Sequence, residues 1–441
     1  MIAWGGWQNL LKLPLYRSKE LVNRCDDECG SRGLTVTSEP LGVGLGGLGR
    51  AFMLTLPALV GHASIRIAGA MDPRPEARAR FENEFRTRSY ETLEGLLGDL
   101  AVEAVYIASP HAFHAEQTIA ALEAGRHVLV EKPMATTLAD CIAMADAADR
   151  TGRVLMVGPS HGFDAPVRLA ADLIARGDLG TVRLVTALNY TDFLYRPRRP
   201  EELDSQQGGG VVYSQATHHI DVVRRLVARD LRSVRALTGD WDPERSTEGA
   251  YSALVTFSGG AAASIGYSGY GRYDSDELMD WVSELGQRKN PESYGAARSR
   301  LTEGTSEPEV VLKLERAYGA LGIDDQPDPA AFHEHFGFVL VSCEEADLRL
   351  TADGVWVYGN SSRIFHALPP PDMPRSAPIE DLVRAVRFGR TPIHDGRWGA
   401  QTVACCDALL RSSREQREIF LSLSGRDQNQ TLSKGVTQCR D

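Results

Sequence analysis

Three glycines with the spacing Gly-x-Gly-x-x-Gly stand at Gly44, Gly46 and Gly49, with Leu48 inside the set. An apolar segment leads into them, and an apolar helical pattern, Leu48 to Leu59, leads out. That context suits a phosphate cradle. The first glycine permits a tight turn, the second lets the main chain approach a pyrophosphate, and the third lets helix pack closely on strand. The helix N-terminus then faces the anion. Asp72 ends the next short apolar run, Ile65 to Met71, near the ~20-residue offset at which a carboxylate accepts from ribose hydroxyls. A carboxylate there favours NAD over NADP because it repels a 2′-phosphate; Arg74, two residues on, is the opposing charge. Taken alone, the same residues could form a structural glycine turn beside a surface aspartate.

Lys132 follows the short apolar strand Val128 to Val130, at the carboxyl edge where ligands bind in parallel sheets. Removing hydride from a carbinol carbon requires the hydroxyl proton to be taken or held. A lysine buried beside a cationic nicotinamide ring has its pKa lowered toward that task. On that reading Glu131 orients the lysine and Pro133 fixes the turn, a candidate cis bond; the plainer alternative is a surface lysine before a proline turn. Arg196, Arg198 and Arg199 fall within four residues. Guanidinium matches carboxylate as a bidentate fork, so the cluster suits a carboxylated substrate. It could equally be a solvated loop neutralised by Glu201 and Glu202. Tyr190, Phe193 and Tyr195 could wall that site or belong to a sheet core. His333 and His335 invite a metal reading, but no carboxylate or cysteine array completes it, and no metal is expected.

These groups need a scaffold. From Leu41 to about Val157 apolar strands alternate with amphipathic helices, the pattern of a parallel, doubly wound Rossmann sheet. Pro75 to Phe85 and His114 to Ala124 read as helices, and Thr137 opens another with Asp140 three residues on. Beyond about Phe163 longer strands appear: Val182 to Phe193, Val234 to Gly239, Tyr251 to Phe257 and Ala262 to Tyr270. They predict an α+β domain with an open, largely antiparallel sheet covering the cofactor crevice. The expected organisation is an extension over residues 1–40, a dinucleotide-binding domain over 41–162, and a substrate and oligomerisation domain over 163–425. The last carries a polar insertion near 286–330, and 426–441 form a tail.

Beyond the glycine turn, two segments carry a family likeness: AVYIASPHAFHAEQTIAALEAGRHVLVEKPMA, from Ala104 to Ala135, and GGGVVYSQATHHIDVVRRL, from Gly208 to Leu226. They resemble the Gfo/Idh/MocA oxidoreductases, which include glucose-fructose oxidoreductase and inositol dehydrogenase. The likeness resumes over Thr391 to Ile419. Within the family, Asn189 to Asp221 and His333 to Gly359 look closest to 4,5-dihydroxyphthalate dehydrogenases, also described as phthalate cis-dihydrodiol dehydrogenases. The resemblance implies Lys132 and His218 as the catalytic pair. It implies Pro110, His114 and Glu131 as cofactor contacts beside the glycine turn, Leu48 and Asp72. Ser214, His219 and Asp221 would join Arg196 and Arg198 around substrate. Inositol dehydrogenase-like members carry aspartate four residues before the histidine; here Ser214 stands there, so Lys132 lacks an expected carboxylate partner. The expected reaction is NAD-dependent oxidation of a carboxylated cyclic diol to a hydroxyketone that tautomerises to a catechol. A sugar or inositol dehydrogenase, or a non-catalytic NAD-binding regulator, is the alternative.

Composition narrows the partners. The 441 residues are 43 % hydrophobic, enough for a large core, and carry a net charge of −11, which disfavours nucleic acid and anionic membrane. No apolar run spans a bilayer, and Met1 to Leu15 lacks a secretory pattern, so a cytoplasmic homo-oligomer is expected. Seven cysteines are too few and odd in number for a disulfide scaffold. Cys25 and Cys29 could pair or bind metal, but read better as spare thiols.

Overall fold

The computed structural model describes residues 39–293, 296–302, 308–325, 330–371 and 373–421. The expected extension (but for its last two residues) and tail, with Cys25 and Cys29, lie outside them, as do parts of the insertion.

The first sheet begins with β1 (Leu41–Gly46), buried at every position, as a central parallel strand must be. Then follow α1 (Arg50–Gly61), β2 (Ile65–Met71), α2 (Pro75–Phe85), β3 (Ser89–Tyr90), α3 (Leu93–Leu97), β4 (Ala104–Ile107), α4 (His114–Glu123), β5 (His127–Val130), α5 (Leu138–Thr151) and β6 (Leu155–Val157). The strand order is β3-β2-β1-β4-β5-β6, all parallel. The order reverses between β1 and β4, the crevice where such sheets take dinucleotides. The cap read from sequence is present: Thr137 Oγ1 accepts from Asp140 N at 3.1 Å and opens α5.

The second sheet is built from β7 (Val182–Tyr190), β8 (Leu231–Gly239), β9 (Ala250–Phe257), β10 (Ala262–Ser268), β11 (Phe338–Cys343), β12 (Asp347–Thr351), β13 (Gly354–Tyr358), β14 (Arg363–Ala367) and β15 (Ile419–Phe420). Its order is β14-β13-β12-β11-β7-β10-β9-β8-β15; β7 and β10 pair in parallel and every other neighbouring pair is antiparallel. Helices α6 (Ala165–Ala175) and α7 (Thr217–Val227) pack on one face. The insertion contributes two short helices, α8 (Ala296–Thr302) and α9 (Glu309–Leu314), and α10 (Ser376–Phe388) and α11 (Gly396–Glu415) complete the set.

Two segments from beyond residue 163 return to the first sheet. Ile379, Leu382 and Val383 of α10 join the core that holds Leu41 and Phe52. Tyr318, just after α9, is buried against Phe52 and Phe81. Helix α11 packs against both α5 and β8, so the two sheets share one hydrophobic core. The α6 helix fills residues between Phe163 and Val182 that the sequence reading leaves unassigned. Its start, Asp164-Ala165-Pro166, is a proline-led helix signal.

Candidate active site

The main chain leaves β1 at Gly46 and turns at Gly47, whose φ is +100°. A Cβ at Gly47 would sit 3.0 Å from Ser109 N, so only glycine fits. Gly44 corrects the sequence reading. It lies inside β1, where a Cβ would meet Val102 Cγ1 at 2.9 Å; it serves strand packing rather than the turn. Gly49 precedes α1 with no side-chain cap, leaving first-turn N–H groups available to an anion. Leu48 N donates instead to Asp72 Oδ2 at 2.9 Å. Asp72 also receives Arg74 Nε and Nη2 at 2.9 and 3.0 Å. An open turn, an uncapped helix start and a buried carboxylate fit the pyrophosphate and ribose of a dinucleotide. Pro110 leads the short turn His111–Phe113 beside this cradle. His114 is turned away: its ring nitrogens lie 2.9 Å from Pro133 O and 3.0 Å from Ser109 O, so it ties two strand-end loops together rather than reaching a cofactor.

Lys132 follows β5 and precedes a cis bond to Pro133. Its Nζ donates to Ser214 O at 3.1 Å. Ser214 lies in one π-helical turn, Val212–Ala216, ahead of α7, a widened coil that turns this carbonyl out of the helical ladder. The Ser214 hydroxyl bonds Gly210 O, so main chain replaces the expected carboxylate as the lysine's partner. Burial lowers the Lys132 pKa to about 8, with Glu131 opposing and the cations Arg375 and Arg198 assisting. Glu131 is itself buried; its Oε1 accepts from Tyr106 Oη at 2.6 Å and its Oε2 from Lys132 N at 3.3 Å. It braces the lysine from behind.

Helix α7 separates its three sequence-read residues. His218 faces the Lys132 side, with Nδ1 3.4 Å from Ser160 Oγ. Burial, then the charges of Lys132 and His161, push its pKa well down, so the ring is neutral. His219 points the other way, bonded to Tyr251 Oη at 2.7 Å and walled by Phe336 and Tyr267. Its burial at 0 % exposure places it in the core rather than against substrate. Asp221 is likewise a clasp. Its carboxylate accepts from Gly162 N at 3.0 Å and Trp398 Nε1 at 2.6 Å, with His394 Nε2 at 2.8 Å. Despite desolvation, His394 and these donors hold its pKa down to about 2.

The clasp fixes a residue that sequence reasoning missed. His161 stands on the turn after β6, its Nδ1 2.6 Å from Asp164 Oδ2, with its ring centroid 4.6 Å from that of His218. Its position after β6 mirrors that of Lys132 after β5, a strand-end signal that was legible. Phe336, packed on both rings, and Arg375, 3.9 Å from both Glu131 and Glu334, had no such signal.

The arginines part company. Arg196 is paired with Asp192 at 2.9 Å and Glu284 at 3.8 Å. Arg199 pairs with Glu201 at 3.2 Å and Glu202 at 3.6 Å, the neutralised arrangement. Arg198 lies 3.5 Å over the Phe193 ring and its Nη2 donates to Phe193 O at 2.6 Å; its main-chain N donates to Glu309 Oε2 at 2.8 Å, while its guanidinium forms no ion pair with a carboxylate among the described residues. Burial lowers its pKa to about 10, with Glu202 opposing and Arg196 assisting. Tyr195 is buried and bonded to Asp242, and Tyr190 packs on Tyr273, so the three aromatics form no common wall. His335 lies 2.9 Å from Val282 O and His333 2.8 Å from Pro369 O. Among the described residues no three His, Cys, Asp or Glu side chains gather as metal ligands, and no helix is long and apolar enough to cross a membrane.

A family model described as an oxidoreductase family with an NAD-binding Rossmann fold matches residues 41–159, and the GFO/IDH/MocA C-terminal domain matches 167–282. A Comamonas testosteroni protein named 1-carboxy-3-chloro-3,4-dihydroxycyclohexa-1,5-diene dehydrogenase is 42 % identical over 377 residues, 85 % of this chain and 95 % of its own. A candidate dehydrogenase structure from Bordetella bronchiseptica RB50 superposes with TM-score 0.82 at 37 % identity, covering 87 % of this chain and 100 % of that one. The WlbA dehydrogenase from Bordetella pertussis, in complex with NADH and UDP-GlcNAcA, shares the fold with TM-score 0.62 at 22 % identity, covering 88 % and 100 %.

Proposed function

The chain belongs to the Gfo/Idh/MocA oxidoreductases, and from that premise we propose that it oxidises a carboxylated cyclic vicinal diol with NAD as acceptor. The best single substrate is phthalate 4,5-cis-dihydrodiol, giving 4,5-dihydroxyphthalate. The observation that carries this is the pairing, in one site, of a proton-accepting lysine with a half-buried arginine whose guanidinium forms no ion pair with a carboxylate among the described residues. The Comamonas relative's name describes a substrate of the same chemistry, a carboxylated cyclohexadiene diol.

The Gly46–Gly47 turn and the start of α1 would hold the pyrophosphate, and Asp72 the adenosine ribose. The nicotinamide, when bound, supplies the hydride acceptor. Lys132 Nζ, neutral above about pH 8, takes the proton from the reacting hydroxyl. The uncharged His218 ring hydrogen-bonds the same oxygen. Arg198 receives a ring carboxylate, its plane already set by Phe193. Oxidation of one carbinol leaves a hydroxydienone, the tautomer of the catechol.

The test is NADH formation across a diol panel. Phthalate cis-dihydrodiol should react with kcat/KM at least about tenfold above a neutral cis-dihydrodiol, since leaving one member of a buried charge pair without its partner costs about 2–5 kcal/mol. Faster turnover of inositol or a neutral sugar would sink the carboxylate reading.

A further inference from the structure

One imidazole in the site takes no part in that oxidation. His161 Nδ1 is held 2.6 Å from Asp164 Oδ2, and its Nε2 has no partner among the described residues. Burial disfavours its charged form, yet Asp164 first, then Glu334 and Glu284, outweigh burial and raise its pKa above the ordinary histidine value. His218, ring against ring with it, is pushed the opposite way, as is His335. The site therefore carries two proton-accepting groups, Lys132 and His161, at the carboxyl ends of the neighbouring parallel strands β5 and β6. The neutral His218 lies within electrostatic reach of both.

Hydride transfer needs one base. The product's chemistry calls for a second. The hydroxydienone still has one tetrahedral ring carbon bearing hydroxyl and hydrogen, next to the new carbonyl. It becomes aromatic only when that carbon loses its proton and the neighbouring oxygen gains one.

Resting on the diol reading above, we propose that the same site catalyses this aromatising tautomerisation, with His161, backed by Asp164, as the base that removes the carbon-bound proton. The C–H bond breaks and its electron pair becomes a ring double bond. The carbonyl π pair moves onto oxygen, which takes a proton from the Lys132 ammonium. That proton is the one the lysine removed during oxidation, so Lys132 returns to the amine. His161 leaves as imidazolium and later releases its proton to water. Nothing is oxidised or reduced in this step.

Stopped-flow mixing with phthalate cis-dihydrodiol and NAD tests it, following NADH and catechol in the same trace. In the wild type the two signals should rise together, at a rate independent of buffer concentration. In His161→Asn, catechol should trail NADH by at least about tenfold in rate and quicken with added buffer, given the ~10²–10⁴ typical of a general base. Asp164→Asn should lag in the same direction. Wild-type protein added to the intermediate released by His161→Asn should restore the fast catechol rise. A wild-type lag that shortens with buffer places the tautomerisation in solution and overturns the inference alone. Coincident signals in His161→Asn overturn it too. The NADH trace reports that each variant is folded. Its absence from the wild type with every carboxylated diol overturns the diol reading, and the inference with it.

Discussion

Lys132 carries a proton below about pH 8 and is an amine above it. A base must be unprotonated, so kcat/KM should climb tenfold per pH unit toward that value and level off beyond it. Lys132→Met should lower kcat by ~10²–10⁴ while NAD affinity stays within a few-fold. Retention of more than about a tenth of wild-type kcat would remove the lysine from the reaction. Arg198 and Arg196 predict opposite patterns. Arg198→Ala should raise KM for the carboxylated diol at least about tenfold and leave a neutral diol alone. Arg196→Ala strands Asp192 and Glu284 and should harm both substrates. Equal effects of the two substitutions would show that the loop does not read carboxylate. At the other end of the site, Asp72 is locked by Arg74. NAD should bind more tightly than NADP, and Asp72→Ser should narrow the gap by releasing that arginine toward a 2′-phosphate. Comparable titrations of both cofactors on the wild type would contradict this.

The turn after β6, α7 and the start of α11 are joined at the Asp221 carboxylate. A Cβ at Gly162 would fall on that carboxylate and on His394, so Gly162→Ala should displace the His161 turn and cost about 1–3 kcal/mol. Asp221 ionises at about 2 when folded, below its unfolded value. Its stabilisation is therefore complete above about pH 4 and is lost as pH falls through 2, a matter of about 2–3 kcal/mol. Urea midpoints measured from pH 5 to 2 should fall less steeply in Asp221→Asn; identical slopes would deny the clasp its charge. How much of this arrangement was legible follows from the range of each interaction. Thr137 and Asp140 act across one helical turn and can be read locally; the glycine spacing placed the turn, but Gly44 answers to Val102 across the sheet, which its neighbours in sequence do not reveal. Lys132 could be placed because a strand end is itself a local signal. Glu284, Glu334, Phe336 and Arg375 reach the site only through tertiary packing, and nothing in their neighbouring residues marks them. The π-helical turn at Ser214 widens a helix without changing its residue types, so the lysine's carbonyl partner was equally hidden.

At the scale of the whole molecule, the helices among the described residues that pack on the nine-stranded sheet leave part of one face open. Leu184 of β7, Leu254 of β9 and Leu237 of β8 share that open face by register, 44 %, 46 % and 54 % exposed, with β10 between β7 and β9. Such a face fits a second copy of itself. Sedimentation at micromolar concentration should give a dimer or larger species, and Leu254→Arg should shift it toward monomer. A monomeric wild type would refute the pairing.

The clasp at Asp221 also has a consequence in time. Protein synthesis delivers the His161 turn first, α7 next and Trp398 last. At ~5–20 residues per second, on the order of ten to fifty seconds separate the first from the last. During that interval the strands of the first sheet are made, but Tyr318 and α10 have yet to complete its core and the turn beside Lys132 has no fastening. Helix α11 packs against α5 and β8 and supplies Trp398, so the turn cannot be fastened before α11 is made. A polypeptide released before α11 would leave the Asp221 clasp open on its Trp398 side.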